Sequence, residues 1–254
     1  MSDMRCRVIL GWFIFYLTVS LAQAGTLSVV ETDKWVRVDK VFDGDTFKTA
    51  NGDKVRLLGI NAPEVTHHTE PGEPLGEKAT DLLQQLTLGK TVRLKTDKEK
   101  RDSYGRLLAQ VYLRDGTWIN ATMLQHGMAY VYTFTPNIRW AKELLAHEQL
   151  ARNKKIGIWQ VNQFKVLYAD EVTAKHIGQF RLVQGQVRNL QKNKYRFRLG
   201  KLIVSIPRAY RDYFKPWPKI WDDMHVLVHG TIRSQGKKLF LALHSPTDLE
   251  KIRP

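Results

Sequence analysis

Between residues 35 and 59 the chain alternates apolar and polar residues and is cut twice by turn dipeptides. It reads WVRVDKV, Asp43-Gly44, TFKTA, Asn51-Gly52, KVRLLGI. Asn-Gly or Asp-Gly between β-rich runs is a strong hairpin signal, because glycine takes the left-handed backbone that tight turns require. The segment is therefore expected to be an antiparallel meander of short strands.

Beyond residue 60 the chain alternates between helical and strand periodicity. Residues 66 to 76 are loop-like, with Pro71, Gly72, Pro74 and Gly76. Glu77 to Leu86 carries Ala79, Leu82, Leu83 and Leu86 at helical spacing, and Gly89 stops it. TVRLKTD (91–97) and RLLAQVYL (106–113) read as two strands flanking a charged stretch, Lys98 to Gly105, expected to be mobile. Ile119 to His126 reads as a helix closed by Gly127, and Trp140 to Arg152 as a longer one. From Phe164 onward only strand patterns occur: FRLVQGQVRNL, KYRFRLG, KLIVSIP, HVLVHGTIRS and KKLFLALH. The expected organisation is a mixed unit over 25–164 and a basic β-barrel over 165–254. The latter would be an accessory nucleic-acid-binding domain.

Charge points the same way. The chain has 40 Lys and Arg against 25 Asp and Glu, a formal net charge of +15. Residues 165–254 hold 18 basic and 7 acidic side chains, so most of the excess lies there. A balance that basic fits a polyanionic partner, either nucleic acid or an anionic membrane surface. In the last part, Lys192, Lys194, Arg196 and Arg198 alternate with Tyr195 and Phe197. That pattern is compatible with a phosphate-backbone track or with a solvated sheet face.

The first residues read as an address label. Two arginines precede the apolar run Val8 to Leu21, and Ala22-Gln23-Ala24 comes next as a small-x-small cleavage pattern. A signal peptide over 1–24 is expected, hence export to a periplasm or beyond the cell; an uncleaved anchor is the alternative. Cys6 is the chain's single cysteine, which excludes an intramolecular disulfide and a cysteine-based zinc site. There is no P-loop, dinucleotide-binding glycine pattern or Gly-x-Ser-x-Gly elbow. His147-Glu148 lacks a second zinc-protease histidine, since position 151 is Ala. His225 and His229 share a strand face, but two ligands do not make a metal site.

Several polar residues could carry chemistry. Asp43 and Asp45 can bond their own turn or offer oxygens to one hard cation. Arg56 is either a solvated strand position or a site residue. Pro63 keeps Ala62 out of helical geometry and so fixes where Glu64 begins; Glu64 is a general base or a loop carboxylate. Arg106 comes after Tyr104-Gly105 at a loop–strand junction, suited to bidentate phosphate binding or to pairing with Asp102.

Taken in order, VFDGDT, VRLLGINAPE, Gly76-Glu77-Lys78-Ala79, DSYGR, AYVY and the closing Gly157-Ile158-Trp159 resemble the staphylococcal-nuclease-like (thermonuclease) family over about 35–160. The resemblance implies an α+β, mainly β fold: a five-stranded barrel of the oligonucleotide-binding (OB) type with three helices. The second, basic barrel is expected to be OB-like too. The resemblance also implies a Ca2+-dependent endonuclease cutting DNA or RNA at the 5′-oxygen to leave 3′-phosphate ends, with low sequence specificity. Asp45 would ligate the metal, Ala62 would add its carbonyl, and Asp43 would act through water. Arg56 and Arg106 would clamp the phosphate, with Glu64 as general base. Tyr130 and Tyr132, with Tyr104, would line the nucleotide pocket. Asn61 stands where many members carry a second metal-ligand aspartate. It can still offer an amide oxygen but removes a negative charge, so weaker Ca2+ binding or another hard divalent cation is expected. The competing readings are a non-catalytic nucleic-acid-binding module and a membrane-surface protein. Arg56, Glu64 and Arg106 together favour the enzyme.

Overall fold

The computed structural model describes residues 34–66 and 72–252. The expected signal peptide lies outside the described residues. Turns form at both expected places, 44 and 52, although only Gly52 takes the left-handed backbone, at φ 89°. They separate β1 (Lys34–Asp43), β2 (Thr46–Thr49) and β3 (Lys54–Leu57), which pair antiparallel in succession. A two-residue strand β4 (Ile60–Asn61) comes next, then α1 (Gly76–Thr87), β5 (Thr91–Lys95) and β6 (Leu107–Tyr112). Strands β1-β2-β3-β6-β5 close into a barrel, with β3 and β6 parallel. Val36, Val38, Phe47, Val55, Leu57, Val92, Leu94 and Val111 point inward, the alternation that period-2 patterning demands. Helix α2 (Ile119–Gln125), the short β7 (Tyr130–Val131) paired with β4, and α3 (Ala141–Asn153) complete this half.

The second half contains β8 (Leu167–Tyr168), β9 (Phe180–Gln191), β10 (Arg196–Leu199), β11 (Leu202–Ser205), β12 (His225–Gln235), β13 (Lys238–Ala242) and β14 (Leu249–Lys251). Strand β12 pairs with both β13 and β9, so β9-β10-β11-β13-β12 form a second closed ring, flanked by β8 and β14. Counted within each ring the order is 1-2-3-5-4, with the third strand parallel to the fifth, as in the OB topology. The two barrels thus repeat one topology, although the sequence shows no internal repeat.

Two local expectations are corrected. Lys192–Lys194 form a 3-10 turn and Tyr195 adopts φ 53°, so only Arg196 and Arg198 alternate with Phe197 on a strand. The adjoining β9–β10 pairing is irregular, with a register shift between Arg196 and Arg198. The charged stretch 98–105 is also pinned by hydrogen bonds. Asn137 accepts from Glu99 N at 2.9 Å and donates to Glu99 O at 2.8 Å, while Asp102 Oδ1 accepts from the N–H groups of Tyr104 and Arg106. Short β8, short β14 and the 3-10 turns had no sequence signal, since they span too few residues to show a period.

All described residues belong to one compact unit, and the barrels share a third cluster of Tyr130, Ala151, Ile158, Trp159, Phe164, Leu182 and Leu227. A buried polar strut crosses the same junction. Glu148 accepts from Val131 N and faces Arg152 at 3.5 Å. Arg152 reaches Glu250 at 2.8 Å, to which Gln149 also donates at 2.6 Å. Burial pushes the Glu148 carboxyl up to about 7. Neighbouring His229 donates to Thr247 O at 2.6 Å, and burial lowers its pKa to about 4, so it stands as a neutral structural residue. Among the described residues, no helix is long and apolar enough to cross a membrane.

Candidate active site

The site grows from the β1–β2 turn and the end of β3. Gly44 is essential there: a Cβ at this position would lie 2.6 Å from the Cβ atoms of both Ala62 and Ala79. With that space left open, the turn seats Asp45 beneath the loop after β4. Asp45 is only 6% exposed. Its Oδ1 accepts from Thr46 Oγ1 at 2.9 Å and its Oδ2 from Ala62 N at 2.8 Å. Asp43 Oδ1 in turn accepts from Asp45 N at 2.9 Å.

Arg56 starts on the outer face of β3, between buried Val55 and Leu57. It does not extend into solvent; its side chain is 12% exposed. Nη2 meets Asp45 Oδ2 at 2.9 Å and donates to Asn61 Oδ1 at 2.7 Å, while Nη1 donates to Ile60 O at 2.8 Å and Leu57 O at 3.1 Å. Alternation alone left this residue ambiguous, because Asp45, Ile60 and Asn61 all lie outside its own strand. Burial holds the Asp45 carboxyl well above the usual carboxylate range, against the pull of Arg56 and with a push from Asp43.

Asn61 links the Ala62 carbonyl to Tyr130. Its Nδ2 donates to Ala62 O at 3.1 Å and to Tyr130 Oη at 3.0 Å. Glu64 lies just beyond, exposed between buried Pro63 and Val65. Its backbone is clamped: Glu64 N donates to Glu73 Oε2 at 3.1 Å, and Glu64 O accepts from Glu73 N at 2.8 Å. Gly76 packs so closely on Glu64 O that no side chain fits there. Glu73 and Gly76 are thus positioning residues that the sequence reading missed. The GEPLG stretch holds a signal for them, in glycines flanking a proline.

Arg106 occupies the other wall. Asp102 Oδ2 accepts from its Nε at 2.7 Å, and the guanidinium lies 5.4 Å from the Tyr104 ring centre. The Asp102 carboxyl is desolvated, yet the bonds from Arg106 hold its pKa below the ordinary value. So the pairing alternative for Arg106 is realised, and it fixes the guanidinium beside the cleft. Arg56, Arg106, Tyr104 and Tyr132 all line one cavity of about 370 Å³, together with Phe134 and Asn137. Tyr104 is 84% exposed, at its mouth. Asp45 and Asn61 stand behind Arg56, and Glu64 is not part of the lining. Tyr130 is also outside it. Only 7% exposed, it stacks on Phe180 of the second barrel at 4.1 Å, which makes it an anchor of the junction.

Among the described residues no three His, Cys, Asp or Glu side chains cluster as a metal site. The donor chemistry still suits a hard cation. Asp43 and Asp45 repel each other across a two-residue turn, and a cation relieves that repulsion. The neutral oxygens of Asn61 and Ala62 adjoin them but face protein donors.

This arrangement matches relatives found by sequence. A family model described as "Staphylococcal nuclease homologue" matches residues 54–161, which hold both arginines and Glu64; Asp43 and Asp45 precede it. The SPbeta prophage-derived endonuclease YokF of Bacillus subtilis (strain 168) is 39% identical over 134 residues. That is 51% of this chain, which itself spans only 45% of YokF. Endonuclease YncB of the same organism is 38% identical over 144 residues, covering 54% of this chain and 68% of YncB. Thermonuclease of Staphylococcus intermedius is 32% identical over 126 residues, covering 48% of this chain and 74% of that protein. With a matching motif order, a closed five-stranded barrel and this coverage, the chain belongs to the staphylococcal nuclease homologue family.

Proposed function

We propose that this chain is an exported nuclease that hydrolyses phosphodiester bonds of DNA or RNA, assisted by Ca2+ or another hard divalent cation. The observation that carries it is the convergence of Arg56 and Arg106 on one cleft, with buried Asp45 behind Arg56. Two guanidiniums on a phosphodiester neutralise the charge that grows on its non-bridging oxygens, and both are already oriented by carboxylates. Glu64 is the candidate base for the attacking water. Its clamped backbone limits where its carboxylate can reach, and geometry must be met before pKa matters. Tyr104 at the mouth and Tyr132 in the wall offer ring faces to bases without reading their identity, in keeping with low sequence specificity. Asp45, Asp43, Asn61 and the Ala62 carbonyl would hold the cation, which when bound supplies Lewis-acid stabilisation of the phosphate. Water attacks phosphorus as Glu64 takes up its proton, the P–O5′ bond breaks, and the departing 5′-oxygen is protonated from solvent, which leaves a 3′-phosphate end. The basic second barrel is proposed as an accessory nucleic-acid-binding part.

The test incubates the full chain with single-stranded and duplex DNA and RNA in Ca2+, Mg2+ or EDTA, beside a Glu64→Gln variant. Cation-dependent cleavage to 3′-phosphates is expected, with kcat falling about 10²- to 10⁴-fold in the variant. Absence of cleavage with every cation would sink the enzymatic reading in favour of a binding module. Undiminished cleavage by the variant would remove Glu64 as base.

A further inference from the structure

The two barrels meet beside the cleft. A second hollow, of about 130 Å³, lies at this junction, and Tyr132 and Phe134 line both it and the Arg56–Arg106 cleft. From there a chain of rings crosses between the barrels. Tyr132 and Phe134 lie 4.7 Å apart, Phe134 and His244 4.9 Å, and His244 and Tyr210 5.1 Å. Phe134 is 36% exposed, and Tyr132, His244 and Tyr210 are half-buried, so the row is partly open to solvent. Arg233 lines the same hollow, is exposed, and has no carboxylate partner among the described residues. The hollow's own carboxylate, Asp248, is occupied by two backbone donors, His244 N at 2.6 Å and Ser245 N at 2.9 Å. An unpaired cation beside half-open rings is the combination that holds single-stranded nucleic acid, through stacking and backbone neutralisation.

We propose that the cleft continues as a single-strand path over Phe134 and His244 to Tyr210, with Arg233 as its phosphate contact, so that both barrels bind one substrate strand. This rests on the nuclease reading of the Arg56–Arg106 cleft. The path selects unpaired nucleotides for a physical reason. Bases inside a duplex present no free face to a ring, and a hollow of this size at the barrel junction admits a base but not a double helix. It also gives the second barrel a role beyond net charge: it extends the strand's grip past the scissile phosphate.

The experiment measures fluorescence anisotropy of labelled oligothymidylates of about two and about ten nucleotides on the full chain in EDTA. A blunt duplex serves as comparison. The variants are Phe134→Leu, which keeps an apolar group but removes the ring, and Arg233→Gln, which alters an exposed side chain without touching the core. The wild type should bind the longer strand more tightly than the dinucleotide, and each variant should shrink that ratio by about five-fold or more. A ratio unchanged within about twofold in both variants overturns the path. A loss in Arg233→Gln alone overturns the stacking and leaves only charge attraction. An equal loss for blunt duplex overturns the preference for unpaired strands. Because binding is read in EDTA, failure here is separate from failure to cleave, which the cation series reports.

Discussion

The Arg56–Asp45 pair offers the most direct test of how the site is built. Arg56 makes four contacts, to Asp45, Asn61 and the carbonyls of Leu57 and Ile60, from a side chain that is largely out of water. Arg56→Ala removes the counter-charge of a buried carboxylate, a perturbation that costs about 3–5 kcal/mol. Arg56→Lys keeps the charge but cannot fork to two carbonyls and an amide oxygen together. Two lost hydrogen bonds at about 1 kcal/mol each set its cost near 2 kcal/mol. Asp45→Asn removes the charge and leaves one oxygen, which keeps the bond from Ala62 N while the amide nitrogen, a donor, turns toward the Thr46 hydroxyl. In the double variant the stranded-charge penalty vanishes, so the cycle should show a coupling of about 2–3 kcal/mol. The assay is urea unfolding monitored by tryptophan fluorescence at 25 °C in EDTA, at a pH above 8 where Asp45 is ionised. With a denaturant slope of about 2 kcal/mol per molar, Arg56→Ala should lower the midpoint by about 2 M. A cost below about 1 kcal/mol for Arg56→Ala, or additivity within about 0.5 kcal/mol, would refute the claim that this pair is a coupled, buried unit.

Three further outcomes are expected. Gly44→Ala should lower stability by about 1–3 kcal/mol and abolish cleavage, since its Cβ would strike Ala62 and Ala79; a thermal melt within a degree of wild type would contradict this. Tyr130→Ala should destabilise the protein by about 3–5 kcal/mol, and Phe180→Ala similarly, because these rings stack across the barrel junction; a change confined to KM would place Tyr130 in the substrate pocket after all. Glu148 has a folded-state pKa of about 7, above its ordinary 4.5. Its contribution is therefore complete below about pH 4.5 and is lost as pH rises through 7. The Tm of the wild type relative to Glu148→Gln should accordingly fall between pH 5 and pH 8, and a rise across that window would reverse the assigned sign.

Elements whose cause is local could be read from the order of residues alone. Turn dipeptides at 43–44 and 51–52 and helical spacing at 79, 82, 83 and 86 needed only near neighbours to act, and each appears where its pattern stands. The motif order carried the family, while the charge count left nucleic acid and an anionic membrane surface both open. Long-range geometry decided the rest. Arg56 lies on an outward strand position, and only the approach of Asp45, eleven residues earlier, and of the loop after β4 turns it inward. Tyr130 carries a pocket motif, yet Phe180, fifty residues later, covers it. Gly76 looks like any helix start until Glu64's carbonyl is found against it. Hydrogen bonds within a turn or a helix join residues a few positions apart, so a sequence displays them. Contacts between segments far apart along the chain depend on barrel closure and on the docking of one barrel against the other, and they become visible only once the chain has folded.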